Sequence, residues 1–235
     1  MEPDSHVLEV GPGLGSLTVA LAESGAQVLA VERDPSLMPA LKEVVGSFAH
    51  VRLMVEDAVT ADWGSLLDDG SWTMVANLPY NVAVPIVLHL LAELPTLRRG
   101  LVMVQAEVAD RMTAPPGSRV YGVPSVKLAW YADARRAGPV PRTVFWPVPN
   151  VDSGLVAFTR RDPPAVDVPR ADVFAVVDAA FSQRRKTLRA ALATWAGSAA
   201  DAERILSAAE VDPGARGESL GVAEFARIAE ARSAR

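Results

Sequence analysis

The chain has 235 residues, 50% hydrophobic and 22% charged, with 23 Lys+Arg against 28 Asp+Glu and a formal net charge of −5. That composition excludes a disordered or collagen-like chain, and the length suits one large domain with an appendage or two modest domains. With no cysteine, a disulfide framework, a thiolate zinc site and a thiol nucleophile are all excluded.

The three histidines, His6, His50 and His89, are too scattered for a metal site, so no metal is expected. No uninterrupted apolar run approaches the roughly 18 residues of a membrane span, and no membrane partner is expected. The start MEPDSH lacks the basic-then-apolar layout of a signal peptide, so a reducing, cytoplasmic setting is expected; a monomer is expected as well. The acidic total argues against a nucleic-acid partner until it is split by position. Residues 1–97 hold three basic and thirteen acidic side chains, a balance of −10, whereas residues 98–189 hold fifteen and eight, a balance of +7. The basic stretch contains Arg98-Arg99, Arg135-Arg136, Arg160-Arg161 and Arg184-Arg185-Lys186. Each group alone reads as a solvated surface pair, but their clustering fits a polyanion-binding face.

In chain order, residues 6–10 (HVLEV) read as a buried strand stopped by Gly-Pro-Gly, and Leu14, Leu17, Leu21 and Ala22 recur at helical spacing up to Gly25. Strands follow at 27–31, 51–55, 73–76 and 100–105, with helices over about 35–45 and 82–94. This alternation predicts an α/β fold, a Rossmann-like and mostly parallel sheet covered on both faces. Residues 126–134 and 154–160, joined by a Pro-rich segment without a crossover helix, read as an antiparallel edge pair. Beyond about residue 170 only helical spacing remains, and Pro163, Pro164 and Pro169 mark the boundary. The expected domains are therefore 1–165, α/β, and 166–235, helical and RNA-binding.

The turn Glu9-Val10-Gly11-Pro12-Gly13-Leu14-Gly15 lies between the first strand and the first helix. Its glycines let a ligand approach the backbone at a helix N-terminus. A dinucleotide fingerprint needs Gly-x-Gly-x-x-Gly, and Ser16 stands at its third glycine, so the case for a nicotinamide-dependent oxidoreductase is weak. Glu9 would repel a phosphate but could meet an ammonium or sulfonium group. Glu32 ends the second strand, where a carboxylate can hold ribose hydroxyls, and Asp57 follows the third, placed to accept from an exocyclic amine. Three acidic groups at three consecutive strand ends suit a phosphate-free nucleoside such as S-adenosyl-L-methionine. Read singly, Glu32 and Asp57 are equally good helix caps.

The fourth strand closes on Asn77-Leu78-Pro79-Tyr80. The Asn77 carboxamide oxygen and the Leu78 carbonyl, stiffened by proline, form two acceptors for the two hydrogens of an adenine N6 amine. Tyr80 offers a ring for the base to stack on. Drawing on both hydrogens localises the amine lone pair and aims it at a methyl donor, with no general base required. An ordinary Asn-x-Pro turn is the plainer alternative.

At this point the segments VLEVGPGLGSLT, VERD, EDAVT, VANLPYNVAVPIVLHLL, VYGVPSVKL, VFWPVPNVDSGLV and AFSQRRKTLRAAL resemble, in order, the bacterial 16S rRNA adenine-N6,N6-dimethyltransferases. The Asn-Leu-Pro-Tyr segment alone also resembles the erythromycin-resistance 23S rRNA methyltransferases, whereas FWPVPNVDS with AFSQRRKTLR is more specific to the small-subunit family. The resemblance implies S-adenosyl-L-methionine contacts at Gly11, Glu32, Asp57 and Asn77, with Ala58 near the adenine ring; Glu9 and Gly13 complete that expected set. It implies a target base held by Asn77, Leu78 and Tyr80, with Phe145 as a second stacking face, and therefore flipped out of its helix. The implied substrate is a pair of adjacent adenines in the terminal hairpin loop of 16S rRNA, each methylated twice within the small ribosomal subunit. The family pattern also places a segment like Gly-Gln-Asn-Phe-Leu-x-Asp ahead of the first strand, where this sequence has MEPDSH. Weakened cofactor binding is the expectation that follows.

Residues 182–189 (SQRRKTLR) are expected to open a helix whose face carries Arg185 and Arg189, flanked by Arg184 and Lys186, along a phosphate backbone. Arg119 and Tyr121, after Pro115-Pro116-Gly117, are further RNA-binding candidates. Two other readings stand beside the 16S enzyme: a 23S rRNA methyltransferase, and a ribosome-assembly factor with weakened catalysis.

Overall fold

A computed structural model of the chain describes residues 4–67 and 70–234. Strands β1 (His6–Val10), β2 (Gln27–Glu32), β3 (Val51–Val55), β4 (Trp72–Asn77) and β5 (Leu97–Gln105) are separated by α1 (Ser16–Glu23), α2 (Met38–Val45), α3 (Trp63–Leu66) and α4 (Ala83–Glu93). Next come α5 (Ala106–Met112), α6 (Val123–Tyr131), β6 (Ala132–Val140) and β7 (Ser153–Arg160). The chain ends with α7 (Arg170–Ser182), α8 (Leu188–Ala191), α9 (Ala193–Ala196), α10 (Ala199–Ala208) and α11 (Val222–Ser233).

Among the described residues the strands form one sheet in the order β3-β2-β1-β4-β5-β7-β6. Neighbours from β3 to β5 pair in parallel, and β7 runs antiparallel to β5, with Gly100 opposite Phe158. Apart from Glu9, the parallel centre is apolar: Val7, Leu8, Val28, Leu29, Ala30 and Val31 are each at most 2% exposed. Such runs are stable only where both sheet faces are covered. From β1 the chain steps outward through β2 and β3, then crosses to β4 and β5 on the other side. That reversal opens a crevice beyond the carboxyl ends of β1 and β4, where open α/β sheets bind ligands.

Gly15 supplies the close packing that the fingerprint assigns to its third glycine. It caps α1 at φ +89°, and a Cβ there would fall 2.9 Å from Leu41 Cδ1 and 3.2 Å from Val44 Cγ1. The glycine that α2 packs against is therefore one position earlier than in a dinucleotide site.

Two sequence expectations change. Residues 126–131 are helical, not a strand, and the edge pair is instead β6 and β7. Val126, Trp130 and Tyr131 suit a strand by propensity, but Pro124 stands in the first turn and the Ser125 hydroxyl accepts the Gly122 N–H at 3.0 Å, which starts a helix. The chain also divides differently from 1–165 and 166–235. One compact unit is Met1–Asp110 with Asp133–Arg160, the other Arg111–Ala132 with Arg161–Arg235. Aromatic contacts explain why residues 111–132 belong with the later helices. Trp130 and Tyr131 each meet Phe174 edge-on with centroids 6.2 Å apart, and Tyr121 meets Phe181 at 6.1 Å.

Candidate active site

The glycine turn is tied to β2 by backbone and side chain. Gly11 N–H donates to Val31 O at 2.9 Å, and Gly13 N–H donates to Glu32 Oε2 at 3.2 Å. The other Glu32 oxygen accepts the Asp34 N–H at 2.9 Å, so this carboxylate is fixed in place at the end of β2, 8% exposed. Asp57 accepts the Val59 N–H at 2.9 Å and pairs with Arg33 at 3.3 Å. Arg33 is largely exposed, so that ion pair is weak.

Gly11, Glu32, Asp57 and Ala58 line one cavity of about 450 Å³, together with Arg33, Glu56, Val59, Pro79, Asn81 and Ile86 among others. Glu9, Gly13 and Asn77 are not in its lining. Glu56, Asn81 and Ile86 were not singled out by sequence, although Glu56 immediately precedes Asp57 and Asn81 immediately follows Tyr80. The lining carries three carboxylates against one guanidinium, which favours hydroxyl and amine donors over a phosphate.

Glu9 lies inside β1 at 1% exposure, and its Oε2 has no hydrogen-bond partner. Burial pushes its carboxyl up to about 7, partly offset by the Thr18 hydroxyl. A cavity rich in carboxylates, with an orphaned buried acceptor at the root of the adjoining glycine turn, fits a nucleoside with a cationic amino-acid end. S-adenosyl-L-methionine has that chemistry, and Glu32, Asp57 and Ala58 are the residues that would hold its nucleoside.

Asn77, Leu78, Tyr80 and Phe145 come together as expected, around a second cavity of about 340 Å³ that also involves Pro79, Trp146, Pro147 and Pro149. Pro79 lines both cavities. A Cβ built on Gly11 would lie 3.8 Å from Pro79 Cδ and 3.9 Å from the Asn77 main-chain oxygen, so the two motifs pack against each other. Tyr80 Oη shares a 2.8 Å hydrogen bond with Ser153 Oγ, and Ser153 is fully buried at the start of β7. The sheet edge therefore orients the Tyr80 ring. Ser153 was missed by sequence reasoning, although it closes the FWPVPNVDS segment. A third cavity of about 260 Å³, lined by His6, His50, Arg52 and Trp72, involves strand starts and contains none of the expected site residues.

The basic candidates separate into two groups. Arg119, Arg184, Arg185, Lys186 and Arg189 are all exposed, but two of them are engaged. Arg184 donates to Glu218 at 2.9 Å and to Arg119 O at 2.5 Å, and Arg189 donates to Glu203 at 2.7 Å. Residues 183–187 form a turn instead of the expected helix. The backbone leaves α7 at Gln183, and the Leu188 N–H donates to Ala215 O at 2.7 Å, so a continuous helix is broken there. Tyr121 is not on an RNA-facing surface. It is 3% exposed and donates to Leu220 O at 2.7 Å, and burial followed by the nearby Glu224 charge pushes its hydroxyl up to about 12. Arg160 and Arg161 are also internal. Arg160 donates to Leu91 O, Leu94 O and Leu97 O, capping the end of α4, and Arg161 donates to Ala129 O.

A sequence profile described as ribosomal RNA adenine dimethylase matches residues 1–232. The chain is 62% identical to the Thermobifida fusca protein named ribosomal RNA small subunit methyltransferase A, covering 99% of this chain and 82% of that one. It is 60% identical to the protein of the same name from Kineococcus radiotolerans, covering 99% and 78%. Among solved structures, a dimethyladenosine transferase from Plasmodium falciparum superposes with a TM-score of 0.78 at 20% identity over 97% of this chain and 90% of that one, a likeness of fold. The 23S rRNA methyltransferase ErmE superposes with a TM-score of 0.68 at 26% identity over 99% and 93%. Among the described residues no cluster of metal-ligating side chains occurs, and no helix is long and apolar enough to cross a membrane. The chain belongs to the ribosomal RNA adenine dimethylase family.

Proposed function

We propose that the chain transfers methyl groups from S-adenosyl-L-methionine to the N6 amine of adjacent adenines in the terminal hairpin loop of 16S rRNA, acting as a cytoplasmic monomer on the small ribosomal subunit. The observation that carries this reading is the pair of cavities sharing Pro79, one with carboxylates from two successive strand ends, the other with Asn77, Leu78 and two aromatic side chains. The relatives named for the small subunit favour 16S over 23S rRNA.

When bound, S-adenosyl-L-methionine supplies an electrophilic methyl group. The work of the chain is positioning. Asn77 Oδ1 and the Leu78 carbonyl offer two acceptors to the N6 hydrogens, which restores electron density to a nitrogen otherwise conjugated with the ring. Tyr80, held by Ser153, and Phe145 supply faces for the base, and both line the same cavity. No carboxylate or imidazole lines that cavity. The proton shed by N6 therefore passes to water, and the acceleration comes from orientation and preorganised dipoles. In this reading the unit formed by Met1–Asp110 and Asp133–Arg160 performs the chemistry, and Arg119, Arg185 and Lys186 of the other unit follow the RNA backbone.

Transfer of tritiated methyl groups to undermethylated small subunits tests the assignment. Asn77→Ala should lower kcat at least about a hundredfold while leaving subunit binding within threefold. Near-wild-type dimethylation by that variant would show that Asn77 does not hold the amine, and label appearing only in 23S rRNA would overturn the substrate.

A further inference from the structure

We infer that Trp146 is a stacking platform for the nucleobase adjoining the target adenine in the RNA strand. This rests on the reading of the second cavity as the seat of that adenine. Trp146 is 94% exposed, whereas Trp63, Trp72 and Trp130 are at most 7% exposed. An indole presented almost whole to water gains a large burial when a partner covers it.

Position and charge say which partner. Trp146 lines the same cavity as Asn77 and Tyr80, and it directly follows Phe145, so a strand that inserts one base there passes the indole with the next. Between the exposed Asp133 and Asp152, residues 134–151 contain no carboxylate; Arg136 pairs with Asp110, and Arg135 and Arg142 remain exposed, Arg142 four residues before Trp146. A polyanion suits that surface better than an acidic protein does. Pro141, Pro147 and Pro149 restrict the backbone on both sides, so presenting the ring costs little conformational entropy on binding. Stacking is tolerant of base identity, and a lone indole beside a specific acceptor pair adds affinity for a neighbour without reading its sequence.

Intrinsic fluorescence and steady-state kinetics test this in the full chain, with a short oligoadenylate as probe and undermethylated small subunits as substrate. Oligoadenylate should quench the wild-type emission, and Trp146→Phe should abolish the quench. Trp146→Ala should raise the subunit KM about five- to a hundredfold, with kcat and the KM for S-adenosyl-L-methionine within threefold. Trp146→Phe, which keeps a stacking face, should bring the subunit KM back to within threefold of wild type. An unchanged KM for Trp146→Ala overturns the inference. So does a raised KM without any oligoadenylate quench, which would assign the indole to a ribosomal protein. Failure of the base-pocket reading is separate, since it would appear as transfer by Asn77→Ala.

Discussion

At the scale of single residues the site depends on carboxylates held in unlike surroundings. Glu32 has each oxygen occupied by a backbone N–H, whereas Glu9 sits buried with one oxygen unpartnered. Burial raises the Glu9 carboxyl from 4.5 to about 7. Between those values the folded chain holds a proton that the unfolded chain has released, so stability must fall as pH rises from 4.5 to 7 and level off above. The cost of the ionised form at pH 8 is on the order of 3 kcal/mol. Glu9→Gln lacks that slope. In urea unfolding the ligand-free variant should exceed the parent by a few kcal/mol at pH 8 and match it near pH 4. Parallel stability curves across that range would mean that Glu9 ionises freely in the fold. A ligand cation reaching Glu9 would act in the opposite direction, favouring the carboxylate and releasing a proton on binding.

At the scale of elements, the turn from β1 into α1 is governed by Gly15. An alanine there meets two penalties: a left-handed backbone, and overlap with Leu41 Cδ1 at 2.9 Å in a core position that is fully buried. Together these should cost about 2–4 kcal/mol, read as a lower urea midpoint. Gly13→Ala, at φ +58° with nothing within 4 Å of its Cβ, should cost only about 1–2 kcal/mol. Equal losses for the two would remove the packing role from Gly15. The parallel strands, the glycine turn and the Asn-Leu-Pro-Tyr segment were legible because continuous apolar runs and turn residues act locally. α6 was not, since a Val-, Trp- and Tyr-rich stretch reads as a strand until its capping Ser125 and its aromatic neighbours are known. Nor was the excursion of residues 111–132. What assigns it to the later helices is contact between Tyr121 and Phe181 and between Trp130 and Phe174, pairs far apart in sequence. The positions of Gly11, Glu32, Asp57 and Asn77 were more legible than the surface around them, because each lies at or just beyond the carboxyl end of a strand whose direction a parallel sheet dictates.

Over the whole molecule the charge asymmetry remains, but many of the basic side chains have internal partners. The carbonyls at the end of α4 hold Arg160, Ala129 O holds Arg161, Asp110 pairs with Arg136 at 3.5 Å, and Glu218 pairs with Arg184. Sequence position cannot distinguish a guanidinium that caps a helix from one that faces solvent. Arg185 and Lys186 are both exposed on the turn after α7, with no ion pair seen for either among the described residues. They are therefore placed to displace counterions from RNA. Each phosphate contact contributes about 0.7–0.9 to the slope of log K against log salt. The double variant Arg185→Ala/Lys186→Ala should therefore flatten the salt dependence of subunit binding by about 1.4–1.8, and weaken binding by at least about tenfold near 0.1 M salt. Its affinity for S-adenosyl-L-methionine should match wild type. Arg160→Ala is the opposing control, expected to lower thermal stability by uncapping α4 while leaving the salt slope intact. If the double variant keeps the full slope, the RNA backbone follows a different surface of the chain, with Arg98, Arg99 and Arg135 the next exposed cations to replace.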